Sequence, residues 1–140
     1  MIGQGAYRPV PDDVIVRDEY DVSRARVAVT TLAQQAGFTR GAVYRLATAV
    51  SELASNLVFH AKAGGVIHLS TVRRDGRSGI EVVAEDQGPG IADIELAMTD
   101  GHSTNGGLGS GLPGCRRLVD EFEIQSAAGS GTRVVVRLWH

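Results

Sequence analysis

The chain has 140 residues, 43% of them hydrophobic and 21% charged, with a formal net charge of -2. That length defaults to one domain with enough apolar content for a core, and the balanced charge and low aromatic content argue against nucleic-acid or anionic-membrane binding. A single cysteine excludes an internal disulfide and fits a reducing compartment, and no stretch resembles a signal peptide or the roughly 20 apolar residues that span a bilayer, so a cytoplasmic protein is expected.

Residues 1–12, rich in glycine and proline, read as a flexible N-terminal segment, and 13–140 as the domain. The β-branched run Val14 to Val16 predicts a strand. Asp21 reads as an N-cap, followed by Val22, Ala25, Val29, Leu32, Ala33 and Ala36 at helical spacing, with Gly37 as the stop. Thr39 reads as the cap of a second helix. Its stripe is Leu46, Val50, Leu53 and Leu57, and it runs to about Ala61 before Gly64-Gly65. "VIHLSTV" and "GIEVVAED" predict two strands joined at Asp75-Gly76. "ADIELAM" suits a short helix, and the glycine-rich "GHSTNGGLGSGLPG" follows it. Pro113 belongs in the first turn of a helix over roughly 112–120. "FEIQSA" and "TRVVVRLW" predict the last two strands. Helices early and hairpins late favour an α+β two-layer sandwich, a mixed, mostly antiparallel sheet with helices on one face.

Four stretches carry candidate chemistry. Glu52 and Asn56 are four residues apart, so they share one side of the second helix, about 100° from the centre of its apolar stripe. A carboxylate there can take a proton or orient a nucleophile, and an amide oxygen is a neutral hard ligand that suits Mg²⁺. A lone E-x-x-x-N is ordinarily a solvated helix edge, and His60, one turn on, is more often a packed or capping residue. Asp86 ends a strand, with Gly88 and Gly90 just beyond it. A strand-terminal carboxylate can accept from an exocyclic amine, and glycines leave room for a flat ring, although D-x-G-x-G alone is also an ordinary turn. The glycine loop offers backbone N–H groups leading into a helix N-terminus, an arrangement suited to phosphate. Ser103, Thr104 and Ser110 add hydroxyls to it. The loop lacks the lysine and spacing of a P-loop, and no strand directly precedes it as in a dinucleotide fingerprint. Finally, "GSGT", Gly129 to Thr132, opens the last strand and could bring a hydroxyl to the same cleft.

The order of these stretches is more specific than any one of them. "ELASN", "DQGPG", "GGLGSGL" and "GSGT" in series resemble the GHKL ATP-binding fold of histidine kinases and type II topoisomerases. The short length resembles the anti-sigma branch of that superfamily. The run "GLGSGLPG…RRLVDEF", with Pro113 after the lid, is most similar to the RsbT-type switch serine/threonine kinases.

This resemblance implies an ATP- and Mg²⁺-dependent protein kinase. Asp86 would bind the adenine amine with help from Thr132, directly or through water, Gly88 and Gly90 would make room for the ring, and Ile91 would belong to the same ATP-binding set. Asn56 would ligate Mg²⁺ through the nucleotide phosphates, and Glu52 would be the general base. Gly107, Gly109 and Gly111 would cradle the phosphates in a lid completed by Ser103, Thr104, Leu108, Ser110 and Leu112. The implied partners are a STAS-domain antagonist as substrate, a PP2C-type phosphatase and a larger stress-sensing complex, with neither nucleic acid nor membrane. A second reading is an anti-sigma factor that sequesters a sigma factor, and a third is a nucleotide sensor without turnover. Lys62, Arg116 and Arg117 could help with phosphate or partner charge, but basic residues at helix ends are more often solvated. Cys115, near a helix start where a thiol pKa can fall, reads as a small packing residue.

Overall fold

The computed structural model describes residues 12–61, 64–88, 98, 111–127 and 129–140. Strand β1 (Asp12–Val16) is followed by helices α1 (Glu19–Gln35) and α2 (Arg40–His60). The hairpin of β2 (Gly65–Arg74) and β3 (Arg77–Asp86) comes next, and then α3 (Gly111–Leu118), β4 (Glu121–Ser126) and β5 (Thr132–Trp139). The expected N-terminal segment 1–12 lies outside the described residues except for Asp12, and the short helix expected at 92–98 does so except for Met98.

Helix α1 starts three residues before the sequence reading places it. Asp18 is the N-cap, its carboxylate accepting from the Asp21 N–H at 3.1 Å. Asp21 sits inside the first turn, reaches back to the Arg17 N–H at 2.9 Å and pairs with Arg24 at 3.0 Å. These bonds hold its carboxyl below the usual carboxylate range, the Arg17 N–H contributing most. The first turn, Glu19 to Asp21, is polar, so the first apolar residue of the helical pattern comes one turn after the helix has begun. Two acidic residues in that turn also suit the positive end of the helix dipole. Thr39 caps α2 as expected, accepting from the Ala42 N–H at 3.2 Å. The C-terminal end is the β-region residue Ala61.

The sheet has five strands in the order β1-β2-β3-β5-β4. Every pairing among the described residues is antiparallel, in keeping with the mostly antiparallel sheet expected from the sequence. The reason lies in the connections. Two strand pairs are joined by short turns, and an antiparallel neighbour needs no crossover helix. Asp75 (φ 53°) and Gly76 (φ 79°) both take the left-handed conformation that a two-residue hairpin demands.

Strand alternation divides the sheet into two faces. Val14, Val16, Ile67, Leu69, Ile80, Val82, Ala84, Val134, Val136 and Leu138 form one apolar face, which joins the core with Val29, Leu46, Val50, Leu53 and Leu57 of the helices. Burying each such large side chain is worth about 1.5–3 kcal/mol. The other face is a lattice of charge, and no helix among the described residues packs on it. There Arg137 bonds Glu81, Glu121 and Glu123, while Glu121 also accepts from Arg74 and from the Trp139 indole. These partners, Arg74 foremost, push the Glu121 carboxyl down to about 2.

Candidate functional site

On the helix-covered face, the last row of the sheet is polar. The register pairs Gly65 with Asp86, Asp86 with Thr132, and Thr132 with Ser126. Each lies two residues beyond an apolar core position of its strand (Ile67, Ala84, Val134, Ile124), so the core gives way at this row to a carboxylate and two hydroxyls. Asp86 Oδ1 accepts from the Gly88 N–H at 2.7 Å, which closes a tight turn after β3. A carboxylate has about four lone-pair sites, so this bond leaves acceptor capacity for a ligand. A β-carbon on Gly88 would stand 3.0 Å from that oxygen and 3.3 Å from Ala61 Cα. Gly88 thus lets the strand end and the end of α2 approach each other. An open depression of about 410 Å³ lies at this end of the sheet, with Asp86, Ser126, Gly131 and Thr132 in its wall.

Helix α2 brings the second half of the site. Glu52 and Asn56 are both partly buried, one turn apart, and flank the buried stripe as the spacing predicts. The N-terminus of α3 comes up against them. A β-carbon on Gly111 would lie 3.8 Å from Asn56 Oδ1 and 3.9 Å from Glu52 Oε1. One turn into α3, Cys115 is fully buried and turned to the Ala49 carbonyl at 3.8 Å. Burial first, and the nearby Glu52 charge second, push its thiol up to about 12. The lowered pKa available to a thiol at a helix start is therefore not realised, and Cys115 is the packing residue the sequence reading took it for. Pro113 is also buried, which fixes the first turn of α3 against the core.

The structure thus brings Glu52, Asn56, Gly111 and Leu112 together beside α2, and Asp86, Gly88 and Thr132 together at the sheet end. The end of α2 connects the two groups through Ala61 and Gly88. Gly90, Ile91, Ser103, Thr104, Gly107, Leu108, Gly109 and Ser110 lie outside the described residues, as does Lys62. His60 and Arg116 are exposed.

Two residues at the sheet end were not singled out from the sequence. Gly131 has φ +77°, and a β-carbon there would stand 2.2 Å from the Asp86 carbonyl oxygen. Ser126 Oγ is 2.8 Å from Thr132 Oγ1 and 2.9 Å from the Gly131 carbonyl oxygen. The only signal for Ser126 was its place in the β4–β5 hairpin, which sets it across from Thr132.

An antiparallel sheet with helices on one face, and an E-x-x-x-N helix beside a strand-end aspartate, define a class. Residues 15–138 match the histidine kinase-like ATPase domain, and the chain belongs to that family. Among its relatives is the serine/threonine-protein kinase RsbT of Bacillus subtilis (strain 168), 44% identical over 126 residues that cover 90% of this chain and 94% of that protein. An anti-sigma F factor of Caldanaerobacter subterraneus subsp. tengcongensis is 34% identical over 117 residues, covering 80% of each chain. The crystal structure of the RsbU and RsbW domains of a Mycobacterium tuberculosis protein superposes with a TM-score of 0.61 at 18% identity. That match covers 94% of this chain but only 32% of the larger one, and it speaks for the fold alone. No helix among the described residues is long and apolar enough to cross a membrane.

Proposed function

We propose that this chain is an ATP-dependent protein serine/threonine kinase that phosphorylates a STAS-domain antagonist and acts as a partner switch. The observation that carries the reading is the meeting of Glu52, Asn56 and the N-terminus of α3 at Gly111. A carboxylate, a neutral oxygen donor and a helix N-terminus together are the parts that phosphoryl transfer uses, because that reaction depends on positioning and charge neutralisation.

Each residue has a stated task in this reading. Asp86 accepts from the exocyclic amine of adenine, and Gly88 leaves space for the ring. Asn56 Oδ1, which faces Gly111 with no side chain between them, fits a hard divalent cation, and Mg²⁺ there offsets phosphate charge when bound. The α3 N-terminus presents backbone N–H groups and the positive end of its dipole to the phosphates. Glu52 orients the hydroxyl of the protein substrate and takes its proton. After transfer, the kinase leaves the phosphorylated antagonist and engages a PP2C-type phosphatase.

The likeness to a protein called a serine/threonine kinase, at 44% identity, supports this reading. The likeness to proteins called anti-sigma F factors keeps a second one in play, sequestration of a sigma factor. One experiment separates them. Purified chain is incubated with a STAS-domain protein and γ-labelled ATP, alongside a pull-down with sigma factors. Label on the STAS protein with no sigma captured is the expected result. Tight sigma capture without phosphotransfer would sink the kinase reading.

A further inference from the structure

Three residues of α2 fall in one line. Arg45, Glu52 and Phe59 follow one another at intervals of seven. Seven residues make two turns less about 20°, so the three side chains leave the helix in nearly the same direction, with about 10 Å of axis between neighbours. The line stands off the buried stripe of the helix. Arg45 is exposed, and the Phe59 ring, at 54%, is half in solvent. Arg24, Arg74, Arg133 and Arg137 each pair with a carboxylate. Arg45 has no such partner among the described residues. Glu52 is thus bracketed on one flank by an unpaired cation and an uncovered aromatic ring.

We infer that this line is the track on which the kinase seats its protein substrate: the acceptor segment lies along the solvent flank of α2, with its hydroxyl at Glu52, an acidic side chain on Arg45 and an apolar one on Phe59. A protein hydroxyl cannot come to Glu52 through the core, nor from the side where α3 meets it at Gly111. It arrives from solvent, over the exposed flank. A carboxylate seated on Arg45 stands about 10 Å from Glu52, beyond the Debye length of about 8 Å at physiological salt. It therefore gains the guanidinium without meeting the full repulsion of the base. Arginine can hold a carboxylate by two parallel N–H bonds, which fixes direction as well as adding affinity. Covering Phe59 adds an apolar contact at the opposite end. A cation on one side of the base and a ring on the other also set which way round the segment lies.

This inference rests on the kinase reading, and the test separates the two. Initial rates of transfer from γ-labelled ATP are measured on the full chain, with a STAS-domain protein as acceptor, against acceptor, ATP and salt concentration. Arg45→Glu is expected to raise KM for the acceptor about tenfold or more and to weaken its salt dependence. KM for ATP and calorimetric ADP affinity stay at wild-type values. Phe59→Ala raises the acceptor KM as well, and Phe59→Leu restores most of it. Lysine in place of an acceptor carboxylate near the labelled residue should hinder labelling by the wild type and recover it on Arg45→Glu. An unchanged acceptor KM in both Arg45→Glu and Phe59→Ala, loss of ADP affinity in step with labelling, or no recovery with any such lysine would overturn the inference and leave the kinase reading standing. A change of oligomeric state in these variants with the acceptor KM unchanged would assign the flank to a second copy of the chain, and the inference falls. Absence of any label on the acceptor with the wild type would overturn both.

Discussion

Gly131 lies so close to Asp86 that a β-carbon on it would stand 2.2 Å from the Asp86 carbonyl oxygen and 3.1 Å from its carbonyl carbon. Backbone does not yield as a flexible side chain does, and Gly131 also sits at φ +77°. Two motifs far apart in the chain, "DQGPG" and "GSGT", are thus held in contact by the absence of one carbon. Gly131→Ala is expected to cost about 2–3 kcal/mol and to weaken ADP binding by shifting Asp86. Gly129 provides the comparison, because its φ is +82° but nothing lies within 4 Å of its would-be β-carbon. Gly129→Ala should cost only the left-handed strain, about 1–2 kcal/mol. Thermal melts and ADP titrations of the two variants check this. Equal effects would mean that the contact with Asp86 carries no weight.

The two halves of the site should separate in function. Glu52 projects from the flank of α2 while the core stripe on the other side fixes the helix. Glu52→Gln is therefore expected to leave ATP affinity near wild type and lower phosphotransfer by about 100-fold or more. Asp86→Asn should do the reverse at the binding step. It exchanges a charged acceptor for a neutral group and is expected to lower ATP affinity about 10–100-fold, the worth of a charge-assisted hydrogen bond. Calorimetry and single-turnover labelling distinguish the two, and near-normal transfer by Glu52→Gln would remove it as the base.

Cys115 should be chemically silent in the folded protein. Its side chain is fully buried and its thiol is pushed up to about 12, by burial and then by Glu52. At about pH 8 the native chain is expected to resist alkylation by iodoacetamide, and unfolding should release full reactivity. Cys115→Ser places a more polar group in the same site and should lower stability by about 1–3 kcal/mol. Rapid modification of the native protein would contradict the packing of α3 against α2.

His68 makes the β1 edge sensitive to pH. Its ring bridges Asp13 of β1 at 2.8 Å and Glu85 of β3 at 3.1 Å, on the charged face of the sheet. Burial opposes its charge, but the hydrogen bonds to Asp13 and Glu85 outweigh that, and its pKa lies above the ordinary 6.5. A group raised in the folded state contributes its full stability below the unfolded value, about 6.5, and loses it as pH rises through the folded value. The melting temperature should therefore fall as pH rises above about 6.5. His68→Gln should remove most of that difference; an unchanged pH profile in the variant would place the dependence elsewhere.

Much of the fold was legible from local chemistry. The stripe of Leu46, Val50, Leu53 and Leu57, the Thr39 cap and the Asp75-Gly76 turn depend only on near neighbours in sequence, and each is found where the pattern puts it. Asp21 was misread as a cap for a local reason too. A polar first turn hides where a helix begins, and either aspartate could have served. The strand order β1-β2-β3-β5-β4 was less legible, because it depends on which edges meet after the hairpins have formed.

The sequence by itself determined the elements and the candidate residues, because periodicity, caps and turn chemistry act over a few positions. The placement of Glu52 and Asn56 on one flank of a helix follows from its geometry alone. Only the tertiary structure decided what those residues face. The register that sets Asp86 beside Thr132 and Thr132 beside Ser126, the approach of Gly111 to Glu52 and Asn56, and the contact of Gly131 with Asp86 all join distant parts of the chain. Such contacts are selected by how the whole core packs and by where a side chain is absent, and no local pattern encodes either.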